Sequence, residues 1–121
     1  MKNTRIKNVC IFTIIFLIQA LSVNAQVTFE EVLKNPNDLK LNLKYAKEQE
    51  DLGNFKSVIS TLERLTSLYP ENIDLKMYYL SISLRIDSVE RTIQIIDEIK
   101  NSEQLTAEIN AEIDIILQNL D

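Results

Sequence analysis

The sequence predicts an all-α fold for the part of the chain that follows residue 25, and three observations lead to that prediction. This part contains one glycine, Gly53, and two prolines, Pro36 and Pro70, so few positions force a helix to break. Its apolar residues recur at intervals of three and four, which is the period of an amphipathic helix. Residues that cap helices stand at the edges of these periodic segments. We expect a chain of this length to form one domain.

Residues 1–25 follow the plan of a secretory signal peptide. Residues 1–8 are polar and positively charged, residues 9–21 are apolar and uncharged, and the small Ala25 favours cleavage before Gln26. The apolar run is shorter than the roughly 20 residues that a membrane-spanning helix needs. We therefore expect an exported protein, periplasmic or secreted, without stable membrane insertion after cleavage. The alternative is an uncleaved signal that stays as an anchor.

Composition excludes several classes of site. The chain has no histidine, and its one cysteine, Cys10, lies within the predicted signal, so neither a Ser-His-Asp nor a Cys-His site can form. The formal net charge is −5, and it becomes about −8 when the three basic residues of the signal are removed, which disfavours nucleic acid. A single glycine cannot build a phosphate-binding loop. We expect a binding protein without enzymatic activity, cofactor or metal.

Capping residues predict where the helices begin. Thr28 and Glu31 form a capping box, in which each side chain accepts a hydrogen bond from the other residue's backbone amide. Asn37 or Asp38 is suited to cap the second helix. The segment Asp87-Ser88-Val89-Glu90 is typical of a second capping box, which would open the fifth helix.

Breaking residues and apolar spacing predict the remaining bounds. Gly53 stops the second helix and Pro70 stops the third. The last helix has one apolar face and a polar opposite face, as the terminal helix of a stack needs. The residues of the fifth helix that helical spacing turns inward are Val89, Ile93, Ile96 and Ile99. The predicted helices are a short one at 28–34 and five main ones at 38–52, 55–69, 73–85, from 88 onward, and 103–119.

The predicted helices repeat at a period of about 34 residues. We call this period the repeat interval; it separates Leu62 from Ile96 and Leu65 from Ile99. The segment 39–72 contains the small Ala46, the turn Gly53-Asn54-Phe55 and the closing Pro70-Glu71-Asn72. With these residues and this period, the segment resembles the tetratricopeptide repeat (TPR) family.

Some positions depart from the family pattern. Asn42 stands where the family usually has a large apolar residue, Asp87 replaces the turn glycine of the second copy, and Gln104 replaces its closing proline. The second copy is therefore a degenerate match. The last helix resembles either the first helix of a third copy or a cap.

The resemblance implies that residues 39–121 form antiparallel helix pairs stacked into a short right-handed solenoid, preceded by a short helix and turn at 26–38. In that family the first helices line a groove that binds a peptide or a partner helix, and no chemistry is done there. The residues of this chain that the resemblance places on the groove are Lys40, Leu43, Lys47, Glu50, Asp74, Met77, Ser81 and Arg85. The open ends of so short a stack are expected to favour self-association.

Two functions are compatible with these features. The first is an exported interaction module whose groove holds a protein or peptide. The second is a periplasmic accessory subunit of an outer-membrane transport or assembly machine, which would need a separate barrel subunit.

Two groups of polar residues have simpler interpretations. Helical spacing predicts that Tyr79 packs in the core, and it leaves the role of Tyr78 open. The acidic run of Glu48, Glu50 and Asp51 is typical of a solvated helix face rather than a metal site or a catalytic pair.

Replacing Leu62, which lies in the most regular apolar stripe of the sequence, tests the predicted core. We expect Leu62→Ala to lower the free energy of unfolding by about 2–5 kcal/mol, because it removes buried methyl groups and leaves a cavity. Denaturant unfolding measures the change. A loss below about 1 kcal/mol would show that Leu62 is not a core residue.

Overall fold

The computed structural model describes residues 25–120, and within this range the chain is all-helical. The six helices are α1 (Phe29–Lys34), α2 (Leu39–Asp51), α3 (Phe55–Leu68), α4 (Ile73–Arg85), α5 (Val89–Lys100) and α6 (Ala107–Gln118). The predicted all-α class and the predicted short first helix are confirmed for these residues. The predicted signal peptide lies outside the described residues, except for Ala25.

The helices pack mainly against their neighbours in the chain. α2 pairs with α3, α4 pairs with α5, and the contact of α3 with α4 joins the two pairs. One apolar core receives side chains from α2 through α6, among them Leu62 of α3 and Ile113 of α6, both fully buried. A smaller cluster of Val27, Val32 and Tyr45 lies beneath α1.

Three helix N-caps recur at the repeat interval. The side chains of Asp38, Asn72 and Thr106 each accept a hydrogen bond from the backbone amide three positions further on, at 2.9, 3.0 and 3.2 Å. Such a bond satisfies one of the amides that a helix leaves unpaired at its start. α2, α4 and α6 therefore begin in the same way and in the same register.

Two left-handed backbone positions are separated by the same interval. Gly53 has φ of 71° after α2, and Asp87 has φ of 55° after α4. Asp87 thus adopts the turn conformation for which the first pair uses glycine. The capping box predicted at this point is wrong, because the side chain of Ser88, the N-cap of α5, makes no capping hydrogen bond.

The inward face of α5 differs from the prediction. Val89 and Ile93 are 47% and 46% exposed, whereas Thr92 and Ile95 are buried. The predicted Ile96 and Ile99 are buried. Thr92 and Ile95 stand one repeat interval after positions 58 and 61, which are buried in α3. The packing of the α4–α5 pair therefore decides which side chains of α5 are buried. As a result, the polar Thr92 is buried and the apolar Ile93 is exposed.

The last helix begins at Ala107 rather than at the predicted residue 103, because Thr106 supplies the cap. Its apolar face packs on the core as predicted. Asp114 stands one repeat interval after the buried Leu80 of α4, but it is exposed and accepts a hydrogen bond from Lys100 Nζ at 3.1 Å. α6 therefore presents a polar side where α4 presents an apolar one.

Asn42 occupies a fully buried position in α2 with its polar groups satisfied. Its amide nitrogen donates to the carbonyl oxygens of Asn35 and Asp38 at 3.0 and 2.6 Å. Its Oδ1 accepts a hydrogen bond from Arg64 Nη2 of α3 at 2.6 Å. Because each buried polar atom has a partner, the polar side chain is tolerated in a place that favours an apolar one.

The left-handed backbone conformation of Gly53 predicts that larger residues at this position lower the stability of the fold. No atom lies within 4 Å of the Cβ that a larger residue would add, so only backbone strain opposes substitution. We expect Gly53→Val to lower the free energy of unfolding by about 1–2 kcal/mol. The matched control is Gly53→Asn, which should cost much less because asparagine tolerates this conformation. Equal losses in the two variants would contradict the assigned backbone conformation.

Candidate partner-binding surface

The eight predicted groove residues lie on α2 and α4, four on each helix. They are Lys40, Leu43, Lys47 and Glu50 on α2, and Asp74, Met77, Ser81 and Arg85 on α4. Leu43 and Met77 are half-buried and pack against the main core, so they present only part of their surface. Direct contacts bring together Lys47, Glu50 and Arg85. The other five residues make no hydrogen bond or ion pair with one another within residues 25–120.

The carboxylate of Glu50 is the centre of a polar cluster that joins α2 to α4. We call Lys47, Glu50, Tyr78 and Arg85 the Glu50 cluster. Lys47 Nζ lies 3.0 Å and the Tyr78 hydroxyl 2.8 Å from Glu50 Oε2, and both donate hydrogen bonds to it. Arg85 Nη1 donates to Glu50 Oε1. Both carboxylate oxygens are thus occupied by donors from the same protein.

The Glu50 side chain is 10% exposed, so the prediction of a solvated acidic face is wrong for this residue. Burial by itself raises the pKa of Glu50. The hydrogen bonds from Tyr78 and Lys47 and the positive charges of Lys47 and Arg85 outweigh that effect, so its pKa lies below the ordinary value. The neighbouring Asp51 is exposed, as the prediction required.

The two adjacent tyrosines of α4 have different roles. Tyr79 is buried in the core, as predicted, and its hydroxyl donates to Glu63 Oε1 of α3 at 2.9 Å. Tyr78 belongs to the Glu50 cluster. Burial raises the pKa of the Tyr78 hydroxyl, and the hydrogen bond to Glu50 raises it further, because both favour the neutral form.

Arg85 links the cluster to α3. Its guanidinium carbon lies 5.0 Å from the centre of the Phe55 ring, a distance at which a cation and an aromatic face attract each other. The Arg85 side chain is half exposed. One side of the guanidinium therefore faces the protein, and the remainder is exposed to solvent.

The sequence interpretation missed Ile115 of α6. This side chain is 61% exposed, and it stands one repeat interval after Ser81 and two after Lys47. The shared interval of the three N-caps is the signal that identifies it, because it makes α6 the counterpart of α2 and α4. Ile115 is therefore an exposed apolar residue of α6 at the repeat position that Lys47 and Ser81 occupy in α2 and α4.

No metal site is found in the described part of the chain, where no three carboxylate, histidine or cysteine side chains come together. No helix between residues 25 and 120 is both long enough and apolar enough to cross a membrane. Comparison of the chain with protein-family models, curated proteins and solved structures finds no match.

The lowered pKa of Glu50 predicts a specific acid sensitivity. Because ionised Glu50 is favoured in the folded state, its stabilisation is fully present above the unfolded carboxyl pKa of about 4.3 and is lost as the pH falls through the lower folded value. We expect Glu50→Gln to be less stable than the wild type at neutral pH and to lose less stability on acidification.

Unfolding midpoints in urea between neutral pH and pH about 3 measure this difference, since that range spans the carboxyl titration. Glu90→Gln, which removes an exposed carboxylate of α5 outside the Glu50 cluster, is the control and should keep the acid sensitivity of the wild type. Parallel pH profiles for the wild type and Glu50→Gln would show that the Glu50 cluster does not stabilise the fold.

Proposed function

We propose that the chain is a short tetratricopeptide-like stack that binds a segment of a partner protein along the face formed by α2, α4 and α6. The bound segment is a peptide or a helix. In the proposed arrangement, antiparallel helix pairs form a right-handed solenoid, and α2, α4 and α6 lie side by side as the first helices of successive repeats. The protein acts by binding, without catalysis, after export from the cytoplasm.

The observation that carries the proposal is the recurrence of the N-caps of α2, α4 and α6 at the repeat interval. Helices that begin with the same kind of cap at a constant interval carry equivalent side chains at that interval, as a stack of repeats requires. The left-handed turns at Gly53 and Asp87 have the same interval and support the same arrangement. Stacked repeats of this kind form extended surfaces suited to elongated partners.

One row of equivalent positions carries charges of opposite sign. Lys40 of α2 is followed at successive repeat intervals by Asp74 of α4 and Glu108 of α6, and all three are exposed. Lys47 adds a second exposed cation on α2. Complementary charges direct the approach and orientation of a partner. The proposed segment therefore lies with its acidic end on α2 and its basic end on α6.

Site-specific crosslinking in the cell of origin tests this function. A photo-crosslinking residue replaces Ser81, which is exposed on the proposed face, and in a matched control it replaces Glu90, which is exposed on α5. We expect crosslinks to one envelope protein from position 81 and not from position 90. Reversal of Lys40, which lies outside the Glu50 cluster, to glutamate should weaken them, because it repels the acidic end of the segment.

Circular dichroism of the Lys40→Glu variant verifies that the fold is retained. The same proteins crosslinked from both positions would contradict a specific binding face. Crosslinks found only between copies of the chain would contradict a separate partner and would indicate self-association through the ends of the stack.

A further inference from the structure

Two surface clefts are built from equivalent positions, one repeat interval apart. The first lies among α1, α2 and α3 and has a volume of about 350 Å³. The second lies among α3, α4 and α5 and has a volume of about 550 Å³. The six residues that line the first cleft are Phe29, Tyr45, Lys56, Ser57, Ser60 and Thr61. Each has its counterpart in the lining of the second cleft, one repeat interval later.

The second cleft contains a carboxylate held by a hydroxyl and a cation. Tyr79 donates its phenolic hydrogen to Glu63 Oε1 at 2.9 Å, and Arg91 Nη2 donates to the same oxygen at 3.2 Å. The pKa of Tyr79 is raised to about 12, by burial and then by this hydrogen bond. In the second cleft, the tyrosine hydroxyl and the arginine therefore already bind a carboxylate of the protein itself.

The first cleft has a tyrosine at the equivalent position but no carboxylate. Tyr45, only 6% exposed, is the counterpart of Tyr79, and Phe29 stands in place of Glu63. Within residues 25–120, the hydroxyls of Tyr45, Ser57 and Ser60 make no hydrogen bond. By contrast, the hydroxyls further along α3, at positions 66 and 67, bond back to the helix backbone. The first cleft thus offers hydroxyl groups that are open to solvent and bond to no other group of residues 25–120.

The electrostatics of the first cleft favour an anion. Its lining contains one charged residue, Lys56, and no carboxylate. Two of the lining residues, Lys56 and Ser57, stand in the first turn of the 14-residue helix α3, whose N-cap Asn54 makes no capping hydrogen bond with its side chain. Unpaired amides and the helix dipole give this end a partial positive charge. The second cleft, in contrast, is lined by three glutamates and one arginine.

We propose that the first cleft binds a small carboxylic acid with an apolar body. The carboxylate accepts hydrogen bonds from the hydroxyls of Tyr45 and Ser57 and pairs with Lys56. The apolar body lies against the ring of Phe29, which is 59% exposed and whose centre lies 6.2 Å from that of Tyr45. The volume is within the range of about 300–1,000 Å³ that is usual for small-molecule sites. The site is separate from the α2–α4 face and does not depend on the proposed function.

Titration of the isotope-labelled protein with sodium benzoate, followed by backbone amide NMR, tests the site. We expect saturable shifts at the amides of residues 56–61 and not at those of residues 90–95 in the second cleft. Benzamide, which keeps the ring but has no charge, and sodium chloride at equal ionic strength should give no saturable shifts in the first cleft. Absence of saturation with benzoate, or equal shifts with benzamide, would overturn the proposal.

Three variants distinguish the site from nonspecific binding. Lys56→Gln should weaken benzoate binding about tenfold, because it removes a charge-assisted hydrogen bond. Phe29→Glu should abolish binding, because it supplies the carboxylate that Glu63 supplies in the second cleft. Tyr79→Phe is the control and should leave the affinity unchanged. Wild-type affinity in both Lys56→Gln and Phe29→Glu would overturn the assignment of the cleft.

Discussion

The constant interval between equivalent helix starts is the constraint on which the rest of the structure depends. It is set by local chemistry, through a capping side chain at Asp38, Asn72 and Thr106 and a left-handed turn at Gly53 and Asp87. Because these features fix where each helix begins, equivalent side chains of the two helix pairs recur at the same interval along the chain. The burial of Thr92 and Ile95 in α5 and the two equivalent clefts agree with this register.

The same register explains why polar residues are found in buried places. Asn42 and Thr92 occupy positions that the packing covers whatever their chemistry, and Asn42 is accommodated by hydrogen bonds to the backbone and to Arg64. Glu50 is accommodated by three donors from α2 and α4. A buried polar group that is fully bonded can fix one arrangement of helices over others, because a shifted helix would leave it unpaired. These contacts therefore add specificity to a core built mainly from leucine and isoleucine.

How much could be predicted from the sequence depends on how local each feature is. The capping box at Thr28 and the bounds of α4 were predictable, since caps and breaking residues act within a few positions. The exposure of Val89 and Ile93 was not, because tertiary packing overrides the apolar pattern of a single helix. The Glu50 cluster was also missed: its partners Tyr78 and Arg85 lie on another helix, 28 and 35 residues away. Of the eight predicted groove residues, contacts bring together only those that belong to this cluster.

Distances between spin labels at positions 40, 74 and 108 test most directly whether equivalent helices stack side by side. All three positions are exposed and follow one another at the repeat interval, and the chain has no cysteine after Cys10 to interfere with labelling. A regular stack predicts that the distance from 40 to 74 equals that from 74 to 108, and that the distance from 40 to 108 is the longest of the three. A distance from 40 to 108 shorter than either of the others would contradict the stack and, with it, a continuous binding face on α2, α4 and α6.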